Sequence, residues 1–128
     1  MSVFRPIRQR IEQIQDLNKK VFYAEALKNA SPPFSFWLQK GGTTEQALDG
    51  YTELNRSTFH IHVVGRNLDE MDRLAEQVRS AIISMQGTVA GGYLYERVSI
   101  QDTSPDIKDK DVNLYRRAYV VAIHWQEV

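Results

Sequence analysis

The stretch from Ser57 to Gly87 constrains the fold more than any other part of the sequence. In its first half Phe59, Ile61 and Val63 alternate with polar residues, and this period of two predicts a strand with one buried face. The second half changes to the period of a helix. The residues on its apolar stripe are Leu68, Met71, Leu74, Ala75, Val78, Ala81, Ile82 and Met85. A strand followed by an amphipathic helix therefore forms the predicted centre of the fold.

Both ends of this helix carry terminating signals. Asn67 suits the N-cap position, and Glu70 three residues later completes a capping-box pattern. Gly87 stands where a helix C-terminus favours a left-handed residue. The turn at Gly65 and Arg66 lacks the glycine spacing of a phosphate-binding loop. The unit is therefore predicted to be scaffold and not a nucleotide site.

The rest of the chain adds one helix and several strands. Apolar residues spaced by three, four and seven over residues 3–17 predict an amphipathic helix, and Pro6 places the start of its regular part near Arg5 or Pro6. Apolar or alternating runs predict strands at residues 21–23, 34–39, 94–101 and 114–125. A length of 128 residues suits a single domain. We predict one α+β domain over residues 1–128, in which two helices pack on one face of an antiparallel sheet of about four strands.

Aromatic residues are plentiful in and around the predicted strands. They are Trp37, Tyr93, Tyr95, Tyr115, Tyr119 and Trp125. Aromatic side chains dominate cores, and they are also enriched at protein interfaces. The pattern leaves both interpretations open: these residues either complete the core of the monomer or contact other proteins.

Charge and composition exclude several classes of partner and site. Sixteen basic and sixteen acidic residues cancel, so the chain has no general attraction to nucleic acid or to an anionic membrane. The absence of cysteine excludes disulfides, thiolate zinc sites and cysteine nucleophiles. No apolar run approaches the ~18 residues of a membrane span. We expect a soluble protein made in the cytoplasm.

No catalytic or cofactor motif is recognisable, so we expect a protein that is not an enzyme and uses no cofactor. His60 and His62 point to one face of a strand, and His124 could join them to hold zinc, but none has a fixed carboxylate partner. The favoured interpretation is three half-exposed histidines, and metal binding stays open. The acidic residues Asp102, Asp106, Asp109 and Asp111 lack the order of an EF-hand loop. A solvated loop is therefore favoured over a calcium site.

Two polar segments, residues 41–50 and 102–111, are predicted to be projecting loops. Because loops carry function and because Tyr and Arg are enriched at interfaces, we expect protein contacts there. The candidate interface residues are Gly42, Thr43, Thr44, Glu45, Gln46, Asp102, Asp106, Lys108, Tyr115 and Arg117.

Features spread over most of the chain carry a family resemblance. They are the N-terminal helix, the passage from Val21-Phe22-Tyr23 to Pro33-Phe34-Ser35-Phe36-Trp37-Leu38, the linker with Leu48-Asp49-Gly50, the strand Ser57 to Val64 with its capped helix, and the strand Leu114 to Tyr119. With these features the chain resembles the small tail-completion proteins of tailed bacteriophages and prophages, also called tail terminators or head–tail joining proteins. The long glycine-flanked segment at 41–50 and the three histidines depart from the family pattern.

The resemblance implies a structural virion protein made in the cytoplasm of a bacterial host. It implies a ring, usually a hexamer, that caps the tail tube and offers a surface to the head connector. The partners would be further copies of the chain, tail-tube proteins and connector proteins, with no specific binding of nucleic acid and no membrane. The alternative is a small-molecule-binding or regulatory α+β module unrelated to phage.

Overall fold

The computed structural model describes residues 3–23, 31–46, 53–109 and 114–128. Within these residues, a mixed sheet of seven strands carries two α-helices on one face. The helices are α1 (Phe4–Glu12) and α2 (Leu68–Ile83), and a 3-10 turn at Gln15–Leu17 follows α1. The strands are β1 (Val21–Tyr23), β2 (Phe34–Gln46), β3 (Glu53–Gly65), β4 (Val89–Ala90), β5 (Tyr93–Thr103), β6 (Ile107–Asp109) and β7 (Leu114–Glu127).

The strand order is β1-β2-β3-β7-β5-β4, and β6 also pairs with β7. β1 runs parallel to β2, and the other pairs are antiparallel. The sheet curls into a half-barrel. β1 is short and pairs only with Ser35, Phe36 and Trp37 of β2. The prediction of an antiparallel sheet of about four strands is therefore wrong in strand number and in strand direction.

The additional strand length comes from the two polar segments that the sequence predicts to be loops. Residues 41–46 continue β2 and pair with 53–58 of β3, and 107–109 form β6 beside 114–116 of β7. Strand pairing uses backbone groups, so a polar segment can join a sheet without burying one of its faces. Apolar alternation therefore does not reveal such strands. Residues 102–103 end β5 and 104–106 connect it to β6, whereas 47–50 and 110–111 lie outside the described residues.

β3 and β7 form the centre of the sheet and confirm the alternation seen in the sequence. Phe59 and Ile61 of β3 are fully buried, and so is Val121 of β7, while Tyr119 is almost so. Phe59 stands opposite Val121, and Ile61 stands opposite Tyr119. These side chains meet the apolar stripe of α2, which confirms the predicted strand–helix unit.

The N-terminal cap of α2 differs slightly from the predicted capping box. Asn67 Oδ1 accepts a hydrogen bond from the Glu70 backbone N–H at 2.8 Å, as an N-cap should. The Glu70 carboxylate, however, accepts from the backbone N–H of Arg66 at 2.9 Å and not from that of Asn67. It also pairs with the Arg66 guanidinium at 2.6 Å, and this hydrogen bond lowers the pKa of Glu70. The helix start is thus tied to the preceding turn.

Two glycines fix the course of the chain around α2. A Cβ atom at Gly65 would lie 2.7 Å from the backbone nitrogen of Met71, so only glycine lets β3 pass this close to the first turn of the helix. After the helix, Gly87 has a φ of +79°, the left-handed conformation that the sequence predicts there. Its N–H donates to the Tyr95 carbonyl at 2.7 Å and so links the end of α2 to β5.

The N-terminal helix is shorter than the predicted span of 3–17. α1 ends at Glu12, and Ile14 adopts an extended conformation before the 3-10 turn. The apolar periodicity continues because both elements bury residues in the same core. Phe4 stacks on Trp37 with ring centroids 3.9 Å apart, which fixes α1 against β2.

The aromatic residues mainly complete the monomer core. Trp37, Tyr93, Tyr95 and Tyr119 are buried, and Tyr115 and Trp125 pack against the same cluster. The Tyr95 hydroxyl donates to the Val3 carbonyl at 2.6 Å, and the Tyr119 hydroxyl donates to the Ala75 carbonyl at 3.1 Å. These bonds satisfy the polar end of each buried ring. The core interpretation of the aromatics is therefore the one that the structure supports.

Candidate interaction surfaces

Nine of the ten candidate interface residues form two groups towards opposite ends of the sheet, and Asp102 belongs to neither. Residues 42–46 lie in the outer half of β2, where Thr44 stands opposite Asn55 and Asn55 stands opposite Trp125. Their side chains lie outside the described part of the chain. The second group surrounds Arg117, eight residues from Trp125 along β7 and so about 26 Å away. The structure therefore does not unite the ten residues into one site.

Arg117 is the centre of the second group, and its side chain is only 12% exposed. Its guanidinium donates to the carboxylate of Asp106 at 2.7 Å and to that of Asp72 on α2 at 2.7 Å. A longer contact of 3.3 Å reaches Glu76 on the next turn of α2. One cation thereby connects β7, the segment before β6 and the helix. We call Arg117, Asp72, Glu76 and Asp106 the Arg117 cluster.

The ion pair between Arg117 and Asp106 shifts the pKa values of both groups. The hydrogen bond from Arg117 lowers the pKa of Asp106 below its ordinary value. The same bond raises the pKa of Arg117 further above its usual range. Both shifts arise from mutual stabilisation of opposite charges, which explains them without a catalytic role.

Lys108 and Tyr115 join this end of the sheet, whereas Asp102 does not. Lys108 pairs with Tyr115 across β6 and β7, and its ammonium lies 5.6 Å from the Tyr115 ring centroid. This distance is within the range of a cation–π contact. Asp102 of β5 stands opposite Val120 of β7, and its carboxylate accepts a hydrogen bond from the backbone N–H of Thr103 at 2.9 Å. This hydrogen bond joins two neighbouring residues of the same strand.

The face of the sheet opposite the helices is a surface that the sequence reasoning missed as a site. We call it the outer sheet face. Strand alternation places these side chains on it: Phe34, Phe36, Leu38, Arg56, Thr58, His60, His62, Val64, Leu94, Arg97, Ser99, Asp102, Arg116, Ala118, Val120, Ala122 and His124. The small apolar residues Ala118, Val120 and Ala122 of β7 are a signal for it, because apolar side chains on both faces of a strand indicate that both faces are at least partly covered.

An aromatic and aliphatic patch forms the middle of the outer sheet face. Phe36 stacks on His62 with ring centroids 4.3 Å apart and an interplanar angle of 5°. In the next row, Leu38 stands opposite His60, and His60 stands opposite Val120. Burial, together with the positive charge of Arg116, lowers the pKa of His62 to about 4. His62 is therefore neutral near pH 7 and belongs to the apolar patch.

Two arginines and a histidine lie at one end of this patch. Arg56 of β3 stands opposite His124 of β7, and His124 stands opposite Arg97 of β5, so three basic side chains cross adjacent strands in one row. We call these residues the basic row. Arg56 and Arg97 are exposed. Among the described side chains, no ion pair or hydrogen bond neutralises either arginine.

The three histidines share a face but do not converge. His60 stands opposite Val120, which is four residues from His124 along β7. This spacing separates His60 from His124 by about 13 Å along the strand direction. His62 lies one row further away, beside Ala118. A zinc site needs three or four ligands within about 2.3 Å of the metal. Among the described residues, no group of three potential ligands meets this requirement.

A shallow depression of about 310 Å³ lies on the helical side of the molecule. Ile14, Gln15, Asp16, Arg73 and Gln77 line it, and the Arg73 guanidinium contacts the Asp16 carboxylate across it at 3.1 Å. Binding pockets for small molecules are mainly apolar and concave. This polar, open depression gives no particular support to a small-molecule site. None of the described helices is long and apolar enough to cross a membrane.

Comparison with known proteins finds a solved structure of similar fold. No protein-family model matches the sequence, and no curated protein is similar to it. A chain in the solved virion of a native gene transfer agent (GTA) particle has a similar structure, with a TM-score of 0.65. The alignment covers 94% of this chain and 91% of that chain at 11% sequence identity. At this identity the likeness is one of fold.

Proposed function

We propose that the protein is a structural component of a phage-like virion. In this proposal it completes the tail and joins it to the head connector as the subunit of a ring. The observation that carries the proposal is the similarity to a gene transfer agent virion chain over nearly the full length of both chains. A match over whole chains supports a comparable structural unit, whereas a match over a shared motif would not.

The distribution of surface features supports a ring subunit. Subunits of a closed ring contact their neighbours through two different patches, one on each side. The Arg117 cluster lies on the helical side of the sheet, and the basic row lies on the outer sheet face. The chain therefore presents two dissimilar surfaces in different directions, as a head-to-tail contact requires.

The proposed role is non-enzymatic. The ion pairs of Arg117 join β7 to α2 and to the segment before β6, so their charged groups serve the fold. The perturbed histidine, His62, is stacked on Phe36 and has its pKa lowered mainly by burial. These interactions account for the shifted groups in structural terms, which favours contact surfaces over catalysis.

The experiment that tests this proposal removes the gene from a host that produces the particles. We expect negative-stain electron microscopy to show filled heads and separate tails, because the joining surface is missing. Supplying the wild-type chain from a plasmid should restore joined particles. Mass spectrometry of purified particles should detect the chain at a copy number that matches one ring.

A strain that lacks a major capsid protein is the matched control, because it should make tails without heads. Normal numbers of joined, infectious or transducing particles in the absence of the chain would contradict the proposal. So would its absence from purified particles that contain the other tail proteins.

A further inference from the structure

The outer sheet face has the composition of a protein contact surface. Its middle is apolar and aromatic, with Phe36, Leu38 and Val120, and Arg56 and Arg97 lie at its edge. Protein interfaces combine an apolar centre that is poor in charge with a polar rim, and they are enriched in aromatics and arginine. A surface for a nucleic-acid backbone would instead follow a continuous basic stripe. The composition therefore favours a protein partner.

The basic row favours a negative partner. Arg56 and Arg97 stand on either side of His124, so two permanent positive charges lie on one face within three adjacent strands. The nearest carboxylate along the chain, that of Glu96, instead accepts a hydrogen bond from the Gln126 side chain at 2.7 Å. Two exposed arginines without a described counter-charge would gain most from a partner that brings carboxylates.

The chain itself carries carboxylates of this kind. In the Arg117 cluster, one guanidinium faces three carboxylates, which leaves two negative charges. Asp72 and Glu76 lie on the exposed side of α2, with side chains that are 57% and 59% exposed. Arg117 and His124 are seven positions apart on β7, so the two surfaces lie about 23 Å apart and on opposite faces. Neither can neutralise the other within one molecule.

We propose that the outer sheet face binds the exposed side of α2, at the Arg117 cluster, of a second copy of the chain. Arg56 and Arg97 contact Asp72 and Glu76 of that copy, while the patch around Phe36 packs beneath them. The contact is head-to-tail, so an open assembly keeps one free surface of each kind, one at each end, and association continues until a ring closes. This inference specifies the subunit contact of the proposed ring and rests on that proposal.

The test compares self-association of the full chain at low and high salt by sedimentation velocity. At about 0.01 M salt the Debye length is about 30 Å, and at about 1 M it is about 3 Å, so a contact between charged surfaces should weaken strongly with salt. We expect concentration-dependent species larger than a dimer at low salt. The double variant Arg56→Glu with Arg97→Glu should weaken association by at least about tenfold.

A second variant removes charge from the other surface. Asp72→Asn with Glu76→Gln leaves Asp106 to pair with Arg117, so the fold is preserved, and circular dichroism checks this. It should also weaken association. In an equimolar mixture of the two double variants, one variant keeps only its α2 surface and the other keeps only its outer sheet face. One molecule of each can therefore still bind the other, and we expect a dimer but no larger species. Arg8→Glu with Lys19→Glu is the control, because it changes the net charge equally at exposed residues of α1 and of the turn after it, which belong to neither surface.

Several results would overturn the inference. They are a wild-type chain that stays monomeric at low salt up to millimolar concentration, unchanged association in the Arg56 and Arg97 variant, and an equally large effect of the control. Binding of a labelled DNA duplex that needs Arg56 and Arg97, with unaltered self-association, would assign the face to nucleic acid instead. If the self-association test fails but removal of the gene still prevents the joining of heads and tails, this inference is wrong and the proposed function stands.

Discussion

Replacing Gly65 with alanine tests the closest approach in the fold. The added Cβ would lie 2.7 Å from the backbone nitrogen of Met71 and 2.8 Å from its Cα. That nitrogen donates the first helical hydrogen bond, to the Asn67 carbonyl at 3.0 Å. Because the obstacle is backbone and not the end of a flexible side chain, the start of α2 must shift away from β3.

We expect this substitution to cost about 1–3 kcal/mol of unfolding free energy, as overpacking of a dense site does. For 128 residues the unfolding entropy is about 0.27 kcal/mol/K, so the melting temperature should fall by about 4–11 °C. Thermal denaturation followed by far-ultraviolet circular dichroism measures this shift.

Gly41→Ala is the matched control, because a Cβ at that position meets nothing within 4 Å. It should leave the melting temperature unchanged or slightly raised, since alanine reduces the entropy of the unfolded chain. A Gly65→Ala protein that melts within about 2 °C of the Gly41→Ala protein would refute the reasoning from steric contact.

Three further substitutions test the buried and charged groups. Tyr95→Phe should cost about 1–2 kcal/mol in urea denaturation, because the buried Val3 carbonyl loses its 2.6 Å donor; an unchanged midpoint would contradict this. Asp106→Asn should destabilise at pH 6 and cease to do so as the pH falls through the folded pKa, because Arg117 lowers that pKa and its stabilisation is present only above it. The pH dependence of the urea midpoint checks the sign. His62 has a folded pKa of about 4 against 6.5 when unfolded, so stability should fall as the pH drops from 6.5 towards 4. His62→Gln should reduce the dependence of the melting temperature on pH over that window. Equal pH dependence in the wild type and the variant would show that other groups are responsible.

The sequence predicted those parts of the fold in which burial imposes a period. The strand with Phe59 and Ile61, the N-cap at Asn67 and most of the stripe of α2 appear as predicted, because each leaves a pattern in adjacent residues. Leu68, which was predicted to lie on that stripe, is 48% exposed. The outer part of β2 and the whole of β6 left no such pattern. Their pairing depends on a neighbouring strand that is distant in sequence, so polarity was mistaken for a loop.

The candidate surfaces were only partly predictable, for a similar reason. Arg117 was named, but its link to Asp72 joins residues 45 positions apart, and only the folded chain brings them together. The basic row was missed because Arg56, Arg97 and His124 come from three strands and meet through register. Sequence spacing reports neighbours along one element, whereas a sheet face is built across elements.

The shortness of β1 has a consequence for how the protein avoids uncontrolled association. β1 pairs with only residues 35–37 of β2, so within the described residues the rest of that edge lacks a partner strand. A long regular edge invites other chains to add as further strands. Here the register of β2 shifts between Gln39 and Gly41, and the residue between them is the exposed cation Lys40. The irregularity and the charge oppose regular strand addition, so the chain can keep an open sheet in solution without seeding aggregates.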